Sequence, residues 1–306
     1  MNDTGGKKSR RFRIKDLPGL IKRTAISWND DDPWRLSAVV AYYAILALPG
    51  LLVIVIGMLG QLYGNEIVEG RVYDEIKNIM GASAANSVEY IFRNAGEGES
   101  SWIAAVVGIG ALVFGATGVF YHLQISLNRV WQVKSDPKNT VLQYLIDRTK
   151  SFGFVLVIGF LLLISFVLSA VLNALQGYIS QWMPDIAYYF LQISDLIISF
   201  GVVTVLFALI FKFLPDVHIS WRSVWIGSII TAFLFSIGKE ILSFYFGEAS
   251  PASVYGTAGS IIIILLWVSY SCLILFFGAK FTWIYARFYG HKVTLRSHAK
   301  PLHEQV

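Results

Sequence analysis

Six long stretches of the chain, near 34–60, 102–123, 152–176, 186–211, 223–246 and 259–286, run apolar with no polar face. Segments such as FVLVIGFLLLISFVLSAVL neither alternate with period two nor carry a polar stripe with period 3.6. Half-buried strands and surface helices are both excluded by that pattern. Each stretch reaches the roughly 20 residues that a helix rising ~1.5 Å per residue needs to cross a ~30 Å hydrocarbon core. Lipid offers backbone amides no partner, so the spans must be helices or strands of a closed barrel. Barrel strands would be ~10-residue segments of alternating polarity. The predicted fold is therefore all-α: a polytopic membrane protein with a six-transmembrane-helix bundle.

Proline, glycine and aspartate punctuate the same boundaries. Asp30, Asp31 and Asp32 ahead of Pro33 form an acidic cap and a first-turn proline for the first span, and Pro184, Pro215 and Pro251 fall between later ones. Pro49 and Gly50 instead lie inside the first span. A proline there removes a helical hydrogen bond and crowds the preceding turn, which predicts a kinked or broken first helix. Short helices are expected in the outer loop 61–101, where Ile67, Tyr73, Ile76 and Met80 have amphipathic spacing.

Composition agrees with membrane burial, at 55% hydrophobic and 15% charged residues with mean hydropathy +0.58. The basic residues alternate by side. Nineteen Lys and Arg flank one side of the predicted spans, and three, Arg71, Lys77 and Arg93, lie on the other. Basic flanks stay cytoplasmic, so both termini are expected inside and 61–101 outside. This divides the chain into a basic N-terminal segment (1–33), a transmembrane domain (34–286) and a cytoplasmic tail (287–306). The net charge of +5 is then a topology signal beside an anionic leaflet, and nucleic acid is not an expected partner. A cleavable leader is not expected ahead of the first span, which would act as the targeting signal. Within 1–33, Leu17, Leu20, Ile21, Thr24 and Trp28 share one helical face. That stripe suits either a helix lying in the membrane interface or one packed on the ends of the spans.

No enzyme constellation is present in the sequence. It has no phosphate-binding glycine loop, no nucleophile elbow, and no His or Cys pair at zinc-ligand spacing. The expectation is a protein that is not an enzyme and needs neither metal nor cofactor. The single Cys272 excludes an intramolecular disulfide. Charges inside the spans are more informative, because a buried charge costs at least a few kcal/mol unless it has a partner, a wet cavity or a function. Asp195 lies 17 residues before Lys212, and Lys239 and Glu240 lie 17 and 18 after Arg222. All three fall about 25 Å from the inner surface, at one level. With Ser199, Ser236 and Ser243 they form either a structural ion pair or the lining of a polar cavity. Lys280, seven residues before Arg287, is expected to snorkel inward and takes no role. Gly108, Gly110, Ala111, Gly115 and Gly118 predict close helix packing.

Several motifs in order resemble the YihY/virulence factor BrkB family of bacterial inner-membrane proteins. They are Ala41-Tyr42-Tyr43 with Leu48-Pro49, Leu127-Asn128-Arg129-Val130-Trp131, and Phe213-Leu214-Pro215 with Trp221. Further along come Gly238-Lys239, Tyr245, Tyr255-Gly256 with Gly259, Leu266-Trp267 and Gly278-Ala279-Lys280. Many members carry an acidic residue where this chain has Lys280. The resemblance implies six helices, a location in the bacterial inner membrane, and association with the cell envelope. Members have been labelled ribonuclease BN, a reading disfavoured by the missing nuclease cluster. Two functions follow as expectations. The first is a transporter or flippase of a lipid-type or other amphipathic substrate, with membrane lipids as surroundings. The second is a non-catalytic scaffold for an envelope-assembly partner.

Overall fold

The computed structural model describes residues 14–63, 70, 73–74, 77, 82, 85–86, 89, 102–136, 184–249, 259–290, 293–296 and 299–302. After a turn of 3-10 helix (Ile14–Asp16) come α1 (Leu17–Asp30), α2 (Pro33–Tyr63), α3 (Trp102–Val130), β1 (Val133–Ser135), α4 (Pro184–Phe213), β2 (Val217–His218), α5 (Trp221–Ala249), α6 (Gly259–Phe288), β3 (Thr294–Leu295) and β4 (Ala299–Pro301). The long helices coincide with five of the six predicted spans, and the one near 152–176 lies outside the described residues. Within the described residues three segments are long and apolar enough to cross a membrane: Leu196–Phe213, Trp221–Phe246 and Ile261–Phe288.

The first boundary forms as its residues dictate. Asp32 turns the chain with φ 61°, its carbonyl accepts from Leu36 N at 3.3 Å, and its carboxylate pairs with Arg35 Nε at 2.7 Å. Pro33 opens α2, where its missing N–H costs nothing. The helix then continues unbroken through Pro49 and Gly50 to Tyr63. A break is therefore absent there, and a bend in the axis is the form that the expectation retains. At the far end, Gly290 stops α6 with φ 71° and donates to Arg287 O at 3.3 Å.

The residues divide into two compact units, one of Met1–Ala25, Leu127–Phe233 and Gly278–Val306, the other of Ile26–Ser126 and Leu234–Phe277. In the first, Leu20 of α1 packs with Phe281, Tyr285 and Tyr289 from α6 and the turn after it, with Leu17, Ile226, Ile230, Ile284 and Phe288 around them. Tyr289 Oη donates to Asp16 Oδ2 at 2.9 Å. Part of the predicted α1 stripe is thus packed on helix ends, while Ile21 and Ile26 are exposed. Glycine lets α5 and α6 close on each other. A Cβ on Gly227 would collide with Thr282, and one on Gly278 would collide with Thr231.

Two antiparallel ladders amend the all-α expectation. β1 pairs with β4, and β2 with β3. The predicted tail thus folds back onto the segments that follow α3 and α4. Leu302 N donates to Gln132 O at 2.9 Å and Arg296 N to Asp216 O at 3.1 Å. In β1–β4 Lys134 faces Lys300, and Asp136 offsets that repulsion by binding Lys300 Nζ at 2.5 Å.

The second unit shows the predicted small-residue packing at Gly115 and Gly118, whereas Gly110 is exposed with nothing beside it, and the close surroundings of Gly108 and Ala111 lie outside the described residues. A Cβ on Gly115 would lie 2.6 Å from Ala47 Cα, and one on Gly118 would run into the Tyr43 ring. That ring stacks on His122 at 4.6 Å, while Trp28 meets Phe277 edge-on at 5.9 Å.

Candidate functional site

On α5, Lys239 and Glu240 are consecutive and pair with each other, Nζ to Oε1 at 3.6 Å. Their side chains are 33% and 76% exposed. Around them on the same helix Ile237, Ile241 and Phe244 are also exposed, as suits a membrane-facing surface. Ser236 and Ser243 are half-buried, and Ser199 on α4 is exposed. Asp195 belongs to α4, but its side chain lies outside the described residues. The charges were expected to form either a structural ion pair or a cavity lining, and the pair described joins neighbouring residues of one helix, α5.

Most of the described motif residues serve packing or a polar tie. Asn128 is buried at the end of α3, donates Nδ2 to Asp216 Oδ2 at 2.8 Å, and accepts from Asp216 N at 2.8 Å. Arg129 is half-buried and Pro215 buried. Tyr245 is exposed and touches Phe246, and Trp267 stands edge-on to Phe235 at 6.0 Å. Gly259 opens α6, whereas Tyr255 and Gly256 lie outside the described residues.

Lys280 contradicts its expected place. It is fully buried, donates Nζ to Val130 O at 3.0 Å, and stands 4.8 Å from the Trp283 ring centroid. Bonding to a helix-terminal carbonyl in the interior replaces snorkelling, because the carbonyls of the last turn lack intrahelical partners. Lys212 acts similarly, donating Nζ to Ile219 O at 2.6 Å. Reading by depth found neither Asp216 nor Lys280 as a structural anchor. Asp216 follows Pro215 and reads as an ordinary turn residue, while its partner Asn128 is 88 positions away. The signal available was Asn128 itself, an amide at a helix end among apolar residues. Among the described residues no three of His, Cys, Asp and Glu gather into a metal-sized cluster.

The long apolar helices, with polar ties at their ends, define a mostly helical membrane protein. The model of the family described as Virulence factor BrkB matches residues 25–303, and the chain belongs to that family. Similar proteins include a "UPF0761 membrane protein" of Stenotrophomonas maltophilia strain R551-3, 27% identical over 93% of this chain and 65% of its own length. Another, from Alteromonas mediterranea, is 23% identical over 88% of this chain and 87% of its own. A third, from Pseudoalteromonas translucida, is 23% identical over 88% and 86%. The chain thus spans less than two thirds of the Stenotrophomonas relative. No solved structure matches.

Proposed function

We propose that this chain is a six-span protein of the bacterial inner membrane that moves a lipid-type or other amphipathic substrate, without catalysing a covalent reaction. The carrying observation is the Lys239–Glu240 pair, whose carboxylate is 76% exposed on an apolar helix. Glu240 lies 18 residues beyond Arg222, about 27 Å along α5. An exposed carboxylate at that depth is costly in hydrocarbon and stable beside water or a polar headgroup. By residue count along the spans, Asp195 falls at the same depth as Lys239 and Glu240, with Ser199, Ser236 and Ser243 close to that level. A bend at Pro49 and Gly50 would free backbone groups of the first span, and these are tolerated where protein or water satisfies them. Both termini are cytoplasmic in this reading, following the bias of nineteen basic residues against three.

The test is transfer of a fluorescent phospholipid between leaflets of vesicles holding the purified chain, read by bleaching of the outer leaflet. Transfer above protein-free vesicles that falls at least threefold in Glu240→Gln supports the proposal. A rate equal to that of protein-free vesicles for phospholipid and lysophospholipid substrates alike would contradict it and favour the scaffold. Orientation is checked by impermeant thiol labelling of Asn86→Cys and Lys138→Cys in a Cys272→Ser background. Asn86→Cys should label in intact cells, and labelling of Lys138→Cys alone would reverse the topology.

A further inference from the structure

Where α4 gives way to α5, within the first unit, three aromatic rings stay open. Phe213, Trp221 and Trp225 are 45%, 44% and 41% exposed. They also touch one another, Phe213 edge-on to Trp221 at 6.0 Å and Trp221 to Trp225 at 6.5 Å. Rings of this size contribute most when buried, so a shelf of three left open at the end of a span suits the membrane interface, where one side is apolar and the other wet.

Charge adds what the rings lack. Lys212 Nζ stands 5.4 Å from the Trp221 ring centroid, and its bond to Ile219 O uses one of its three protons. Arg222, next to Trp221, is exposed. The acid in this stretch, Asp216, is buried and bonded to Asn128. The shelf therefore carries two cations and no exposed carboxylate from residues 212–225.

We propose that this junction binds the headgroup of an anionic phospholipid. Arg222 and Lys212 take the phosphate oxygens, with the planar guanidinium suited to two of them at once. Phe213, Trp221 and Trp225 lie along the glycerol and upper acyl chain. A zwitterionic lipid brings its own ammonium toward the two cations and binds less well. The site does not depend on the transport reading, because it concerns resident lipid rather than a moving substrate.

Purified full-length chain in detergent is titrated with dioleoylphosphatidylglycerol or dioleoylphosphatidylcholine, with native mass spectrometry counting bound lipid. Basic residues near an anionic surface contribute about 1 kcal/mol each, so phosphatidylglycerol should be preferred about tenfold or more. Arg222→Gln should lower phosphatidylglycerol affinity about fivefold and leave phosphatidylcholine unchanged, and Arg222→Lys should retain most of the preference. Trp225→Leu keeps both cations, so it should weaken both lipids together and serves as a second variant if Arg222→Gln does not fold. Equal binding of the two lipids by the natural chain would overturn the site. Two further results would do the same: an unchanged preference in Arg222→Gln, or equal affinity for glycerol phosphate without acyl chains, since the rings would then play no part.

Discussion

Thr231 on α5 and Thr282 on α6 hold reciprocal positions. Each hydroxyl donates to the carbonyl four residues back on its own helix, Thr231 to Gly227 O and Thr282 to Gly278 O, both at 2.7 Å. Each side chain also lies over the glycine of the other helix. The two polar groups are thereby satisfied without water, and the helices approach as small residues permit. Gly227→Ala or Gly278→Ala should cost about 1–3 kcal/mol by overpacking. Thermal unfolding in detergent measures the loss, and Thr282→Gly combined with Gly227→Ala should recover part of it. A neutral effect of both alanines would mean that the helices do not meet there.

Asn128 and Asp216 exchange two hydrogen bonds in a buried setting. Asn128→Ala removes both of these bonds from a buried site and should destabilise the chain by about 1–3 kcal/mol. Asn128→Asp should be worse, since it sets two carboxylates together. A lower unfolding temperature for both, in that order, is the expected outcome.

Lys280 behaves as an anchor. Lys280→Met removes its bond to Val130 O and should cost about 1.5–3 kcal/mol, the range for hydrogen bonds to charged groups. A lysine reaching solvent would tolerate Met with little loss, so the same unfolding measurement separates the two placements.

The Asp136 carboxyl is held below its ordinary range, first by the hydrogen bond from Lys300 and next by the charge of that ammonium. A depressed folded-state value means that this contribution is present above the unfolded carboxylate pKa of about 3.9 and is lost as pH falls through the lower folded value. Backbone exchange at β4 should therefore be insensitive to pH titration of this pair between 6 and 8, after correction for intrinsic rates. Asp136→Asn should raise exchange there at neutral pH, the more so in low salt, where the exposed pair is least screened.

Much of the fold was legible because lipid imposes a simple rule. Long apolar runs identified α2 through α6, and the Asp32-Pro33 boundary follows from local cap chemistry. The tail ladders were not legible. Val217, His218, Thr294 and Leu295 form strands of two residues, too short for any period to register, and their pairing depends on contacts more than 70 positions apart. The candidate site was legible as far as Lys239 and Glu240 as charges on an apolar helix. Depth counting placed Lys280 badly because it locates a residue along the membrane normal and says nothing about the side of the helix. Its carbonyl partner on α3 is 150 positions away.

The central claim is that water reaches the level of Lys239 and Glu240 on α5. Thiols react with impermeant reagents as thiolates in water, so accessibility can be read directly. In a Cys272→Ser background, Ser236→Cys and Ser243→Cys flank the pair and leave it intact, while Ile241→Cys probes the exposed apolar surface on the other side of the same helix at the same depth. Labelling of Ser236→Cys and Ser243→Cys in vesicles, with Ile241→Cys unreactive, is the predicted result. Both serine positions as unreactive as Ile241→Cys would contradict the account.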